Sequence, residues 1–268
     1  MATELQKFLR KNPVFTYDAF VQALSGGSKH NRNTTKALLA HHIHHGHIIR
    51  IRRRLFASIP VGAEPDTYPI NPYLVTGYAT PDAVIAYHSA LGFYQMAYST
   101  SYRFVYQTQY QSSPFHFRSE NYEAVRFPAV LIQQHKENIF TNSEDVQGLN
   151  IRVTSLERTL VDVLDKPELG GGWEEIWRSL EMIDRIKINQ VIEYALLLNN
   201  ATTIAKVGFY LSQRQKELKI YSEIFNKLRA HCPRSPHYID TAARKDGKLV
   251  SDWNIIVPKG LVTQEWQE

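Results

Sequence analysis

Nine side chains in the first sixty residues are of the kinds that grip a polyanion. Lys29, Arg32, Asn33, Thr34 and Lys36 crowd one short stretch, and Arg50, Arg52, Arg53 and Arg54 crowd another. Guanidinium and ammonium groups neutralise phosphates, while an amide or hydroxyl at a helix start can reach base edges. The charge distribution agrees. Residues 1–60 carry ten Lys and Arg against only Glu4 and Asp18, a net of +8, whereas the rest of the chain carries −3. The overall +5 is therefore a property of the N-terminal end, and duplex DNA is the expected partner there.

Other groups invite chemistry without completing it. Six of the 11 histidines fall in the same segment, at 30, 41, 42, 44, 45 and 47. His41 and His45 have the i, i+4 spacing of a helical metal clasp, but no Cys or carboxylate nearby completes a tetrahedral set. A polar helix face beside DNA, with a mild pH dependence of binding, is the plainer expectation. Gly170-Gly171-Gly172 precedes a helix, as a phosphate loop would, yet no Lys-Ser/Thr follows and Glu174-Glu175 already answer the helix dipole. Glu217-Leu218-Lys219 lacks a partner aspartate strand, and His88-Ser89 and Cys232 lack a visible triad. No catalytic residue, metal or cofactor is expected, and the chain reads as a binder rather than an enzyme.

The elements that must carry the nine residues follow from spacing. Residues 3–11 suit a helix with Leu5, Phe8 and Leu9 inward, ended by Pro13; Thr16 caps a second with Phe20, Val21 and Leu24 inward. Ser25-Gly26-Gly27-Ser28 is turn chemistry. A third helix starts at Asn33 or Thr34, buries Ala37, Leu38, Leu39 and Ile43, and stops at Gly46. Ile48 to Phe56 then gives two short strands around Arg52-Arg53-Arg54. Helix, helix, turn, helix and basic hairpin make a winged helix-turn-helix over residues 1–60.

Residues 61–72, rich in proline and turn formers, suit a linker or an ordered strap. Residues 73–268 read as one α+β domain with a mostly antiparallel sheet and a helical cluster. Thr80-Pro81-Asp82 opens a helix reaching Gly92, Tyr98–Gln111 and Tyr122–Phe127 are strands, and Leu149–Val153 is another. Thr154 and Glu157 then form a capping box for a helix buried on Leu156, Leu160, Val163 and Leu164. Arg158 and Asp162 lie four apart on another face, worth little as a surface pair but able to order a site if held against the sheet. Residues 188–230 are mostly helical, and Leu249–Val257 is a last strand.

A hydrophobic content of 43% excludes wholesale disorder. One cysteine excludes an internal disulfide, and no run spans a bilayer, so a cytoplasmic protein with no membrane partner is expected.

The basic N-terminus, together with NPYLVTGYATPDAVIAYHSAL (71–91), TSLERTLVDVLDKPELGGGWEEIWRSLE (154–181), ATTIAKVGFYL (201–211) and WNIIVP (253–258), resembles the AbiEi-type antitoxins. These are the antitoxin and autorepressor components of bicistronic type IV toxin–antitoxin (abortive infection) systems. The resemblance implies a winged domain that binds its own promoter; the small interface of a single such domain predicts an inverted repeat there, occupied by two copies. The resemblance further implies a second domain countering a nucleotidyltransferase-like toxin, directly or indirectly, with Arg158 and Asp162 as candidate antitoxin residues beside their plainer role as a structural pair. The family wing usually reads Arg-Gly-Leu-Tyr where this chain has Arg53-Arg54-Leu55-Phe56, and losing that glycine costs about 1 kcal/mol if the backbone needs positive φ. The alternatives are a DNA-acting nuclease and a ligand-sensing one-component regulator.

Overall fold

The computed structural model describes residues 3–25, 32–239 and 246–263. It is α+β, and its contacts divide the chain into two compact units. The first is Met1–Ile85, Tyr102–Arg126 and Ser143–Val153; the second is Ala86–Ser101, Phe127–Asn142 and Thr154–Glu268. The division therefore does not fall at 61–72, because strands from the middle of the chain join the N-terminal end.

The first unit begins with α1 (Glu4–Lys11), β1 (Val14–Thr16), α2 (Tyr17–Ser25), α3 (Arg32–His44), β2 (Ile48–Arg52) and β3 (Leu55–Ser58). Thr3 caps α1 through a full capping box with Gln6. Phe15, Phe20, Leu39, Ile48 and Phe56 form the core, with Leu5, Phe8 and Leu9 against it. The sheet runs β1-β3-β2, both pairings antiparallel. Strand β1 was not anticipated: after Pro13, Val14 and Phe15 extend to pair with Ala57 and Phe56. Three residues are too few for an alternation to show.

Residues 59–72 are a strap, not a free tether. Ile59 is buried and its amide donates to His47 O at 2.9 Å. Arg118 donates to the carbonyls of Tyr68 and, at 2.7 Å, Pro65. Next come α4 (Pro72–Gly77), β4 (Val84–Ile85), α5 (His88–Phe93), β5 (Arg103–Thr108), β6 (Phe115–Phe117), β7 (Glu120–Arg126), α6 (Ala129–Gln133), β8 (Thr141–Val146) and β9 (Leu149–Thr154). The six-stranded sheet has the order β6-β7-β5-β4-β9-β8. It is mixed: β5–β7 and β4–β9 are parallel, and β6–β7 and β4–β5 are antiparallel. The expected helix from Thr80 begins only at His88, because Val84 and Ile85 are a central strand buried on both faces. Such a strand carries no alternation to distinguish it from a helix. Thr80 therefore caps no helix: its hydroxyl donates to Asp82, whose carboxylate also accepts from the Thr108 hydroxyl and from Gln109 N.

The second unit contains α5, α6 and the helices α7 (Leu156–Asp165), α8 (Trp173–Glu181), α9 (Ile188–Leu198), α10 (Ala201–Gln213) and α11 (Ser222–Arg229). Ser155, not Thr154, caps α7. The chain then adds a small sheet, β10 (His237–Tyr238), β11 (Gly247–Val250) and β12 (Ile255–Pro258), with β12 central. The single last strand expected over 249–257 is thus two, folded back at Asn254, whose φ is 49°. Among the described residues no helix is long and apolar enough to cross a membrane.

Candidate nucleic-acid interface

Helix α3 buries Thr35 and Leu39, with Leu38 and His42 half-buried beside them. Positions 35, 38, 39 and 42 make one stripe at helical spacing, so the opposite face is turned outward. That face carries Asn33, Thr34, Lys36, Ala37, Ala40, His41 and His44, all exposed. Ala37 and Ile43, expected in the core, are exposed instead: the inward stripe is completed by a threonine and a histidine, which sequence reading had counted as polar. Small residues at the middle of a polar face let a helix backbone approach base edges closely, and an alanine methyl can meet a thymine methyl. Lys29 lies outside the described residues. Arg32 begins α3, but its side chain is not among those described.

The β2–β3 turn does not present its arginines equally. Arg50 and Arg53 are exposed, and among the described residues neither side chain forms a hydrogen bond or ion pair. Arg52 turns inward instead. A register shift between Arg50 and Arg52 redirects it, Nη2 donates to Ala79 O at 2.5 Å, Nη1 donates to Ser112 Oγ at 3.1 Å, and the guanidinium lies 4.6 Å from the Phe115 ring centre. Arg54 takes the left-handed conformation, φ 66°, and donates to both oxygens of Asp18 at 2.5 and 2.6 Å. Its carbonyl accepts from Tyr17 N at 2.9 Å. Of the three turn arginines, one is braced internally, one is paired with a carboxylate, and Arg53 is left outward.

His45 Nδ1 meets His41 O at 2.8 Å, and among the described residues no three His, Cys, Asp or Glu side chains are grouped to hold an ion. Burial, then the imidazoles of His47, His41 and His45, holds His42 below its ordinary value. It therefore belongs with the inward stripe as a neutral ring.

Arg158 and Asp162 are buried within the second unit, at 0% and 2% exposure. Arg158 Nη1 donates to Glu137 O at 2.7 Å, Ile139 O at 2.8 Å and Thr141 Oγ1 at 3.3 Å, and Nε faces Asp162 Oδ2 at 3.5 Å. Tyr194 OH donates to Asp162 Oδ1 at 2.7 Å. Burial pushes the Asp162 carboxyl up to about 6, against the opposing pull of Arg158 and Tyr194. The pair fastens segment 137–141 to α7 from a buried position, the plainer structural role expected of it.

Sequence reading also passed over a buried network. His88 Nε2 lies 2.9 Å from Glu175 Oε1. The same carboxylate accepts from Ser99 N and Oγ at 3.0 and 2.7 Å and from Ser179 Oγ at 3.1 Å. Burial raises the Glu175 carboxyl, but the donors Ser99 and His88 together hold it below its ordinary value. Gly171, φ 91°, is tight against it: an added Cβ would lie 2.6 Å from Glu175 Cγ. The glycine run thus accommodates packing, and Glu175, expected to serve the helix dipole, is committed to His88 and Ser99. Eighty-seven residues separate His88 from Glu175, so no local spacing could reveal them. Burial lifts the Cys232 thiol to about 11, so it is held protonated near neutral pH.

No family model and no curated protein matches the chain. A solved structure does: the crystal structure of the RV2827C protein from Mycobacterium tuberculosis is similar over 98% of this chain and 93% of that one, with a TM-score of 0.65 at 14% identity. At that identity the likeness concerns the fold alone.

Proposed function

We propose that the chain is a duplex-DNA-binding autorepressor and the antitoxin of a toxin–antitoxin pair. The supporting observation is the outward face of α3. It offers Asn33, Thr34, Lys36, Ala37 and Ala40 beside the exposed Arg50 and Arg53, in the segment that holds the chain's positive charge. On this reading α1 to β3 is a winged helix-turn-helix, with α3 the groove helix and the β2–β3 turn its wing. Side chains on α3 discriminate sequence, and Arg50 and Arg53 add phosphate contacts that carry little sequence information. The antitoxin half rests on the AbiEi resemblance of blocks 71–91 and 154–181.

Footprinting the DNA upstream of the gene tests the reading. Protection of an inverted repeat is expected, with half-sites about one helical turn apart for two copies of a small domain. Asn33→Ala narrows the preference for that site over scrambled DNA, and Arg53→Ala weakens both alike. Absence of any protected site at low salt overturns the DNA reading. Failure of the full chain to restore growth alongside the neighbouring gene's product overturns the antitoxin half.

A further inference from the structure

Within the first unit, the β2–β3 turn forms one wall of an open cleft of about 730 Å³, whose opposite side is residues 77–81 and the start of β9. Four arginines line it, Arg52, Arg53, Arg54 and Arg152, against a single carboxylate among the described residues, Asp18. The way they are held decides the charge. Arg52 is braced by Ala79 O, and Arg152 Nη2 donates to Pro81 O at 2.8 Å. A carbonyl orients a guanidinium without neutralising it, and each such bond uses a fraction of its five N–H donors. Only Arg54 is matched by an acid.

The wall is also fixed in place. Gly77 packs so closely on β9 that an added Cβ would lie 2.5 Å from Ile151 Cγ2, next to Arg152 in the chain. Pre-oriented cations lose little side-chain freedom on meeting an anion. An extended chain of phosphates suits a cleft that is open, carries excess positive charge, and is continuous with the exposed Arg53.

We infer that this cleft is a second DNA contact, in which Arg152, on the six-stranded sheet and far in sequence from the basic N-terminus, grips the phosphodiester backbone of the duplex held by α3 and the turn. The inference rests on the DNA-binding reading and extends its interface beyond the first sixty residues. It accounts for why Arg152 sits among the turn arginines although residues 61–268 are net negative.

The test is fluorescence anisotropy of the full-length protein, on a duplex from upstream of its gene and on a scrambled duplex, across a salt series. Arg152→Ala should weaken both duplexes by the same factor and make the log–log salt slope shallower by about 0.9, the loss of one phosphate contact. Asn150→Lys, at an exposed position on the same wall, should tighten both and steepen the slope by about 0.9. Because this second variant gains binding, misfolding cannot imitate it. Unchanged slopes in both variants, beside a steep wild-type slope, overturn the cleft contact and leave the DNA reading intact. A wild-type protein with no salt-dependent binding ends both. If tripolyphosphate raises the melting temperature of wild type but not of Arg152→Ala, with duplex slopes unmoved, the cleft serves a small polyphosphate and the inference is wrong.

Discussion

Arg54 occupies a left-handed backbone position, φ 66°, where a residue with a Cβ costs about 1 kcal/mol relative to glycine. Its bonds to Asp18 offset little of that, since both side chains are more than half exposed and surface pairs contribute about 0–1 kcal/mol. Arg54→Gly should therefore leave thermal stability unchanged or raise it by up to about 1 kcal/mol, while weakening duplex binding without altering sequence preference. A clear drop in melting temperature would mean that the Asp18 pair matters more than the backbone does. Asp162 yields an expectation of a different kind. Its folded value, about 6, lies above the 3.8 of an unperturbed carboxyl, so the folded state binds its proton more tightly. The stability this confers is full below about pH 4 and is lost as pH rises through about 6, on the order of 3 kcal/mol in all. Melting curves across that window should show this fall in the wild type and its loss in Asp162→Asn. Arg158→Met should cost about 3–5 kcal/mol, because it strands a buried carboxylate and frees the carbonyls of Glu137 and Ile139.

At the scale of elements, α10 is held against the small C-terminal sheet's turn by a missing side chain. A Cβ at Gly208 would lie 2.1 Å from Cζ3 of Trp253, itself 1% exposed. Gly208→Ala should destabilise the second unit by about 1–3 kcal/mol, seen as a lower melting temperature, and Trp253→Leu should recover part of the loss in the double variant. What was legible in the sequence follows the same logic of local against distant causes. Helices α1, α2 and α7 were foreseen to within a few residues, because their inward positions recur every three or four residues, and the helical run over 188–230 was foreseen as a whole. Strand β4 was mistaken for helix because a strand buried on both faces has no alternation. The inward stripe of α3 was misassigned because Thr35 and His42, not Ala37 and Ile43, complete it. The cleft around Arg152 and the network of His88 and Glu175 were out of reach, each joining segments far apart in the chain.

For the molecule as a whole, the chain's division into units bears on how function can be dissected. The sequence suggests a cut near residue 70, but Arg52 lies against Phe115, and Arg118 holds the carbonyls of Pro65 and Tyr68. Such a cut would strip the first unit of its own bracing, so point variants on the exposed face are the sounder instrument. Ala37 gives the sharpest one. It lies outward at the centre of the α3 face, whereas the hydrophobic pattern alone would bury it. The most direct measurement is anisotropy of full-length Ala37→Glu on the upstream duplex, with a melting curve beside it. Melting within error of wild type and duplex affinity reduced by about a hundredfold or more is the expected result, since a carboxylate would face base edges and phosphates. Unimpaired binding by a folded Ala37→Glu protein would contradict the assignment of α3 as the surface that meets DNA.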